Sequence, residues 1–137
     1  MQQNDQLLKK IIELTYDVYN SLGPGYNEVV YHRALEVAFR INSIEYQSEV
    51  TVPVLYKGFN VGHSRIDLLV KDIIIELKAV AHLNNDSIIQ IRNYMKTVSI
   101  AQGLVINFSQ KNSLLELKYI QGDSIFTFEN GVFIVAI

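Results

Sequence analysis

The chain has no cysteine, no tryptophan and only two prolines in 137 residues. Without thiols it forms no disulfide, carries no iron-sulfur cluster or thiolate-bound zinc, and has no cysteine nucleophile. A marked excess of one charge is also missing. Twelve Lys+Arg stand against 14 Asp+Glu, a formal net charge of -2 with a pI near 5.9. Proteins that coat nucleic acid or anionic membrane through bulk electrostatics need a basic excess, so any phosphate binding here has to be local. No apolar run approaches the roughly 18 residues of a membrane span. The opening MQQNDQLLKK has neither a basic region leading into an apolar core nor a cleavage site. The expectation is a cytoplasmic protein with no membrane partner. No repeat and no Pro/Ser/Gly-rich linker divides the sequence, so residues 1–137 read as a single domain.

What is present is strongly patterned. Leu7, Leu8, Ile11, Leu14, Thr15, Val18 and Leu22 recur at helical spacing, with Asn4 or Asp5 as the expected N-cap and Gly23-Pro24-Gly25 as the stop. A second helical series, Val30, Ala34, Val37, Ala38 and Ile41, opens near Asn27 and closes around Asn42-Ser43. The period then changes to two: Val50, Val52 and Val54 alternate, Gly58 marks a turn, and strand-like runs cover 65–70 and 73–77. Pro53 suits an edge strand or a bulge. Asn84 to Ser87 resemble a helix cap ahead of the stripe Ile88, Ile91, Met95 and Val98, and GLVINF (103–108) reads as a buried strand. Three short strand candidates follow at 114–119, 124–128 and 132–137, separated by Gly122-Asp123 and Asn130-Gly131 turns. This order predicts an α/β (α+β) fold, a mixed sheet flanked by helices with a β-rich C-terminal extension.

Arg65-Ile-Asp-Leu-Leu-Val-Lys-Asp-Ile-Ile-Ile-Glu-Leu-Lys78 concentrates the chemistry. With Lys71-Asp72 as the loop, Val70 opposes Ile73, Leu68 opposes Ile75 and Ile66 opposes Leu77, giving one apolar face. On the other face Leu69 meets Ile74, Asp67 meets Glu76 and Arg65 meets Lys78. Two carboxylates about 5 Å apart repel by on the order of 3 kcal/mol at an effective dielectric near 20, and a cation would reverse that sign. The alternative is a structural charge ladder in which Arg65 and Lys78 neutralise the two acids.

Asp67 followed by Glu76-Leu77-Lys78 resembles the D-x(n)-ExK signature of the PD-(D/E)xK nuclease superfamily. Gly25-Tyr-Asn-Glu-Val-Val-Tyr31 resembles the GxxExxY signature of a bacterial family within it, and Gln90-Ile-Arg-Asn-Tyr94 resembles the QxxxY motif of RecB-like members. In order and spacing the likeness covers about residues 5–110, leaving a β-rich tail of about 111–137. It implies a restriction-endonuclease-like core, with Glu28, Asp67, Glu76 and the Leu77 carbonyl holding Mg2+ or Mn2+. It further implies that Lys78 assists a water and stabilises transition-state charge, that Gln90 orients the catalytic groups, and that Tyr94 contacts phosphate or packs the site.

Tyr31, Arg65, Arg92 and Lys96 are the candidate substrate contacts. The implied partner is DNA, with RNA as a second nucleic acid, and the tail offers a surface for a homodimer. His32, His63 and His82 lack metal-ligand spacing and read as surface or hydrogen-bonded residues. The implied activity is a metal-dependent nuclease. The rival is a catalytically silent nuclease-fold module that binds or regulates through a partner.

Overall fold

In a computed structural model, which describes residues 2–110 and 114–136, helices α1 (Gln2–Leu22) and α2 (Glu28–Ile41) precede a seven-stranded sheet. Its strands are β1 (Gln47–Tyr56), β2 (Phe59–Val70), β3 (Ile73–Lys78), β4 (Gln102–Phe108), β5 (Leu115–Gln121), β6 (Ser124–Glu129) and β7 (Val132–Ala136). Helix α3 (Asn85–Val98) connects β3 to β4. The strands lie in chain order across the sheet. Every neighbouring pair is antiparallel except β3–β4, which is parallel and therefore needs the helical crossover. This is the mixed sheet flanked by helices that the residue pattern predicts, and the tail prolongs the same sheet. Among the described residues no helix is long and apolar enough to cross a membrane.

Helix ends follow local chemistry. Gly23, at φ +76°, donates its N–H to the Tyr19 carbonyl at 2.7 Å and ends α1. Asn84 caps α3 by accepting the Asp86 N–H at 3.0 Å. The expected cap at Asn4 or Asp5 is a correction: both lie inside α1, whose first turn starts at Gln2. The expected stripe of α2 is corrected too. Its buried residues are Tyr31, Leu35, Ala38 and Phe39, whereas Val37 and Ile41 are exposed. Both series have helical spacing, and the one carrying two aromatic rings buries more apolar area. Of the last strand candidate, Ile137 lies outside the described residues.

Because β3 and β4 are covered on both faces, every residue from Ile73 to Leu77 and from Gln102 to Phe108 is buried. Ile73, Ile75, Leu77, Leu104, Ile106 and Phe108 pack in the layer shared with α1 and α2. Ile74 and Val105 pack with Ile88, Ile91 and Met95 of α3. The β2–β3 ladder has the expected register at Leu68↔Ile75, Leu69↔Ile74 and Val70↔Ile73, closed by Lys71 at φ +52°. Toward the charged end it departs from expectation. The Leu77 N–H goes to the Asp67 carboxylate at 2.8 Å instead of to a ladder carbonyl. Ile66 joins the α3 layer, although Leu68 belongs to the α1/α2 layer. The cause lies at Glu49 and Asp67: the β1–β2 ladder skips them between Ser48↔Leu68 and Val50↔Ile66, and Glu49 has φ +54°. Facing therefore changes across Asp67, and the single apolar face expected for the hairpin is divided between two layers.

Candidate active site

Asp67 sits where that change of facing brings β2 between the start of α2 and the end of β3. One carboxylate oxygen is fixed by the Leu77 amide. Burial pushes its pKa up, against the opposing pull of the Leu77 N–H, His32, Lys78 and a side-chain hydrogen bond with Glu76. Glu76, on the α3 face of β3, is only 4% exposed. Its Oε2 lies 3.6 Å from the Lys78 ammonium, and its buried Oε1 has no hydrogen-bond partner. Burial first, then the charges of Asp67 and Glu28 acting against Lys78, push its carboxyl up to about 8. Glu28 opens α2, where the helix dipole favours an acid. Shielding of its carboxyl and the nearby Asp67 raise it, while Lys78 and His32 lower it.

Opposite this acidic group runs a polar chain. Lys78 Nζ donates to Gln90 Oε1 at 3.5 Å, and Gln90 Nε2 donates to the Tyr94 hydroxyl at 2.9 Å. The residues are four apart on α3, so both reach the same end of β3. Gln90 serves Lys78 with its carbonyl, because an ammonium only donates, and its NH2 group is free to donate to Tyr94. Ser64 also hydrogen-bonds Tyr94, and burial raises the phenol's pKa, which keeps it protonated.

The structure thus brings Glu28, Asp67, Glu76, Lys78, Gln90 and Tyr94 into one electrostatic neighbourhood. Among the described residues, no three His, Asp or Glu side chains already form a group that could hold an ion. The donor set is nonetheless the hard-oxygen set that Mg2+ and Mn2+ take, and the orphaned Glu76 Oε1 is the kind of buried acceptor that a cation satisfies.

The four candidate substrate contacts separate. Tyr31 is a correction: it is fully buried and stacked on Phe108 with centroids 4.3 Å apart. Its hydroxyl donates to the Gly23 carbonyl and accepts the Tyr26 N–H, so it shapes the approach to Glu28 from inside the core. Arg92 donates to the Asp123 carbonyl at 3.1 Å, fastening α3 to the β5–β6 turn. Arg65 pairs with Glu49 at 2.6 Å rather than with Asp67 or Glu76, so it takes no part in a charge ladder on this hairpin, whereas the Lys78–Glu76 contact at 3.6 Å is formed. Lys96 lines a groove that also contains Gln90 and Tyr94.

Two supporting groups are absent from the motifs. His32 Nε2 lies 2.9 Å from both Glu36 Oε2 and Ser48 Oγ, tying α2 to β1 next to Asp67. An i,i+4 His–Glu pair on one helix was a signal available in the sequence. Asn107, fully buried on β4, accepts the Val80 N–H at 2.9 Å and donates to the Val80 carbonyl and to Glu116. Glu116 in turn accepts the Leu83 N–H, and Ser109 donates to the Ala81 carbonyl. The loop carrying the chain from Lys78 to α3 is thereby held at three points. Only the polar interruption of an apolar strand marked Asn107 in advance.

Comparison with known proteins bears on the family and the fold. The model of the PD-(D/E)XK nuclease superfamily matches residues 5–119, from α1 to β5. No curated protein matches the chain. A solved structure titled "Crystal structure of SSO0001" superposes with a TM-score of 0.53 at 18% sequence identity, covering 89% of this chain and 78% of that one, a likeness of fold.

Proposed function

The chain belongs to the PD-(D/E)XK nuclease superfamily, and from that premise we propose that it is a bacterial, cytoplasmic enzyme of the GxxExxY type that hydrolyses DNA phosphodiester bonds with Mg2+ or Mn2+. The observation that carries the reading is the buried, unpartnered Glu76 Oε1 among Asp67, Glu28 and Lys78. Three carboxylates and one ammonium sum to -2, which one divalent cation balances. A small acidic protein can present a neutral phosphate site in this way without a basic surface.

Glu28, Asp67, Glu76 and the Leu77 carbonyl would hold the cation. When bound, it supplies Lewis-acid polarisation of a phosphoryl oxygen and a water acidic enough to attack at neutral pH. Lys78 lies beside Glu76 and offers its ammonium to charge developing on the phosphoryl group. Gln90 fixes where that ammonium points, and Tyr94 fixes Gln90. Asp67 joins β2 to β3 through the Leu77 amide, so that the two acids move as one unit.

A second reading, a module that binds but does not cut, is favoured by two observations. One Asp67 oxygen is already engaged by Leu77 and no ready-made three-ligand group stands among the described residues. Mg2+- and Mn2+-dependent cleavage of single-stranded, duplex and branched DNA and of RNA, with Glu76→Ala and Lys78→Ala as controls, separates the two. Cleavage that both substitutions abolish supports the enzyme. Cleavage that survives them removes the assigned site, and absence of both metal binding by calorimetry and cleavage supports the module.

A further inference from the structure

The tip of the β1–β2 hairpin carries unusual surface chemistry. Leu55, Tyr56, Phe59 and Val61 are all more than half exposed, Phe59 at 74%. Tyr56 and Phe59 are directly opposed across a two-residue turn of Lys57 and Gly58, at φ +50° and +83°, which displays both rings on one face of a tight ribbon. The Lys57 ammonium lies 5.4 Å from the centroid of the Tyr56 ring. From this hairpin a groove of about 500 Å³ runs between β1 and α3 to Gln90 and Tyr94. Lys96, Asn93 and Thr97 form part of its wall, and no carboxylate lines it. The pocket that Asp67 itself lines differs, with Glu28, Glu36 and Glu49 in its lining alongside Arg33 and Arg65.

Exposed apolar surface on an edge strand could instead pair with a second copy. Here the edge is poorly suited to that. Pro53 removes a donor from β1, and the register slips between Val54 and Leu55, both devices that blunt an edge against strand addition. What remains is a carboxylate-free groove with Lys96 on its wall and Gln90 and Tyr94 at one end, whose lining reaches Leu55 at the other, next in the chain to Tyr56 of the aromatic tip. Single strands are bound by this combination, with bases on aromatic rings and phosphates along positive charge. A duplex keeps its base faces stacked internally and has none to offer Tyr56 or Phe59.

We propose that the groove between β1 and α3 and the Tyr56–Phe59 hairpin tip bind single-stranded DNA, leading one strand from the Lys78–Gln90–Tyr94 chain out to the two rings. The proposal rests on the nuclease reading only for what happens to the strand at Lys78. Fluorescence anisotropy of labelled dT15, and of the same oligonucleotide paired with dA15, tests it on the full chain in EDTA. The wild type is expected to prefer dT15. The Tyr56→Ala/Phe59→Ala double variant is expected to weaken dT15 binding about ten-fold or more, the loss that removing two stacking rings implies. Tyr56→Phe, which keeps the ring, is expected to bind as the wild type does.

Hydrolysis of bis(4-nitrophenyl) phosphate, too small to reach the hairpin, should be unchanged in the double variant. Equal affinity for duplex and single strand overturns the proposal, as does a double variant that binds dT15 normally. A wild-type dimer that the double substitution splits while dT15 affinity stays constant also overturns it, in favour of self-association. Tight, ring-dependent dT15 binding without hydrolysis of either substrate in Mg2+ or Mn2+ supports this proposal and overturns the nuclease reading.

Discussion

Glu76 and Lys78 stand two residues apart on one strand face, yet their environments push them in different ways. The carboxylate is buried and half-satisfied, whereas the ammonium, 28% exposed, reaches both Glu76 and Gln90. Lys78→Ala is expected to lower kcat by about 10²- to 10³-fold, the usual loss when a charge-stabilising donor is removed, with little change in fold by circular dichroism. Calorimetric affinity for Mg2+ should rise from pH 6 to pH 9, because the cation displaces a proton from a Glu76 carboxyl held up at about 8. Asn107 illustrates the opposite kind of residue, one that touches no substrate. Asn107→Ala leaves the Val80 N–H without its acceptor, and urea unfolding should show a loss of about 2 kcal/mol. That the D…ExK and QxxxY residues lie close together is legible in the sequence because their spacing is local. The burial of Tyr31 is not legible there, since helical spacing alone does not say whether position 31 faces the core or the solvent.

At the scale of elements, the site depends on how closely α3 approaches the sheet. A Cβ on Gly103 would lie 2.8 Å from Ile91 Cδ1 and 3.0 Å from Met95 Sδ, so the glycine in β4 sets the distance at which α3 docks. Gly103→Ala is expected to cost about 1 to 2 kcal/mol in thermal or urea unfolding and to reduce activity by displacing Gln90 and Tyr94. Adding Ile91→Val removes the nearest of the crowding atoms and should recover part of both, with Met95 Sδ still at 3.0 Å, which a simple loss of strand flexibility would not allow. The elements themselves were largely readable: the change of period from 3.6 to two after Asn42, the glycine stop at 23 and the Asn84 cap all act within a few residues. The turn of facing at Glu49 and Asp67 was not. It depends on a positive φ at Glu49 and on a side chain replacing a ladder bond, both fixed only once β1, β2 and β3 are assembled. The buried face of α2 was hidden for the same reason, because two helical stripes competed and tertiary packing chose the aromatic one.

For the molecule as a whole, the carboxyls of Glu28, Asp67 and Glu76 are all raised in the folded state. Between the ordinary carboxylate range and about 8, the native protein then binds more protons than the unfolded chain. Stability of the cation-free protein must fall as pH rises through that window. Urea midpoints in EDTA should be higher at pH 5.5 than at pH 8.5, and Glu76→Gln should flatten the difference by replacing the most strongly shifted acid. A midpoint that climbs with pH would contradict the electrostatic description of the site. The single parallel pair in the sheet bears on how the chain reaches this state. The β1–β2–β3 meander is complete at Lys78, but β4 begins only at Gln102, so during synthesis the wholly apolar run Ile73–Ile75 waits for a partner while α3 is still being made. A nascent chain stopped in that interval carries an uncovered sheet edge, and this is the stage at which the protein is most exposed to aggregation and to chaperone capture.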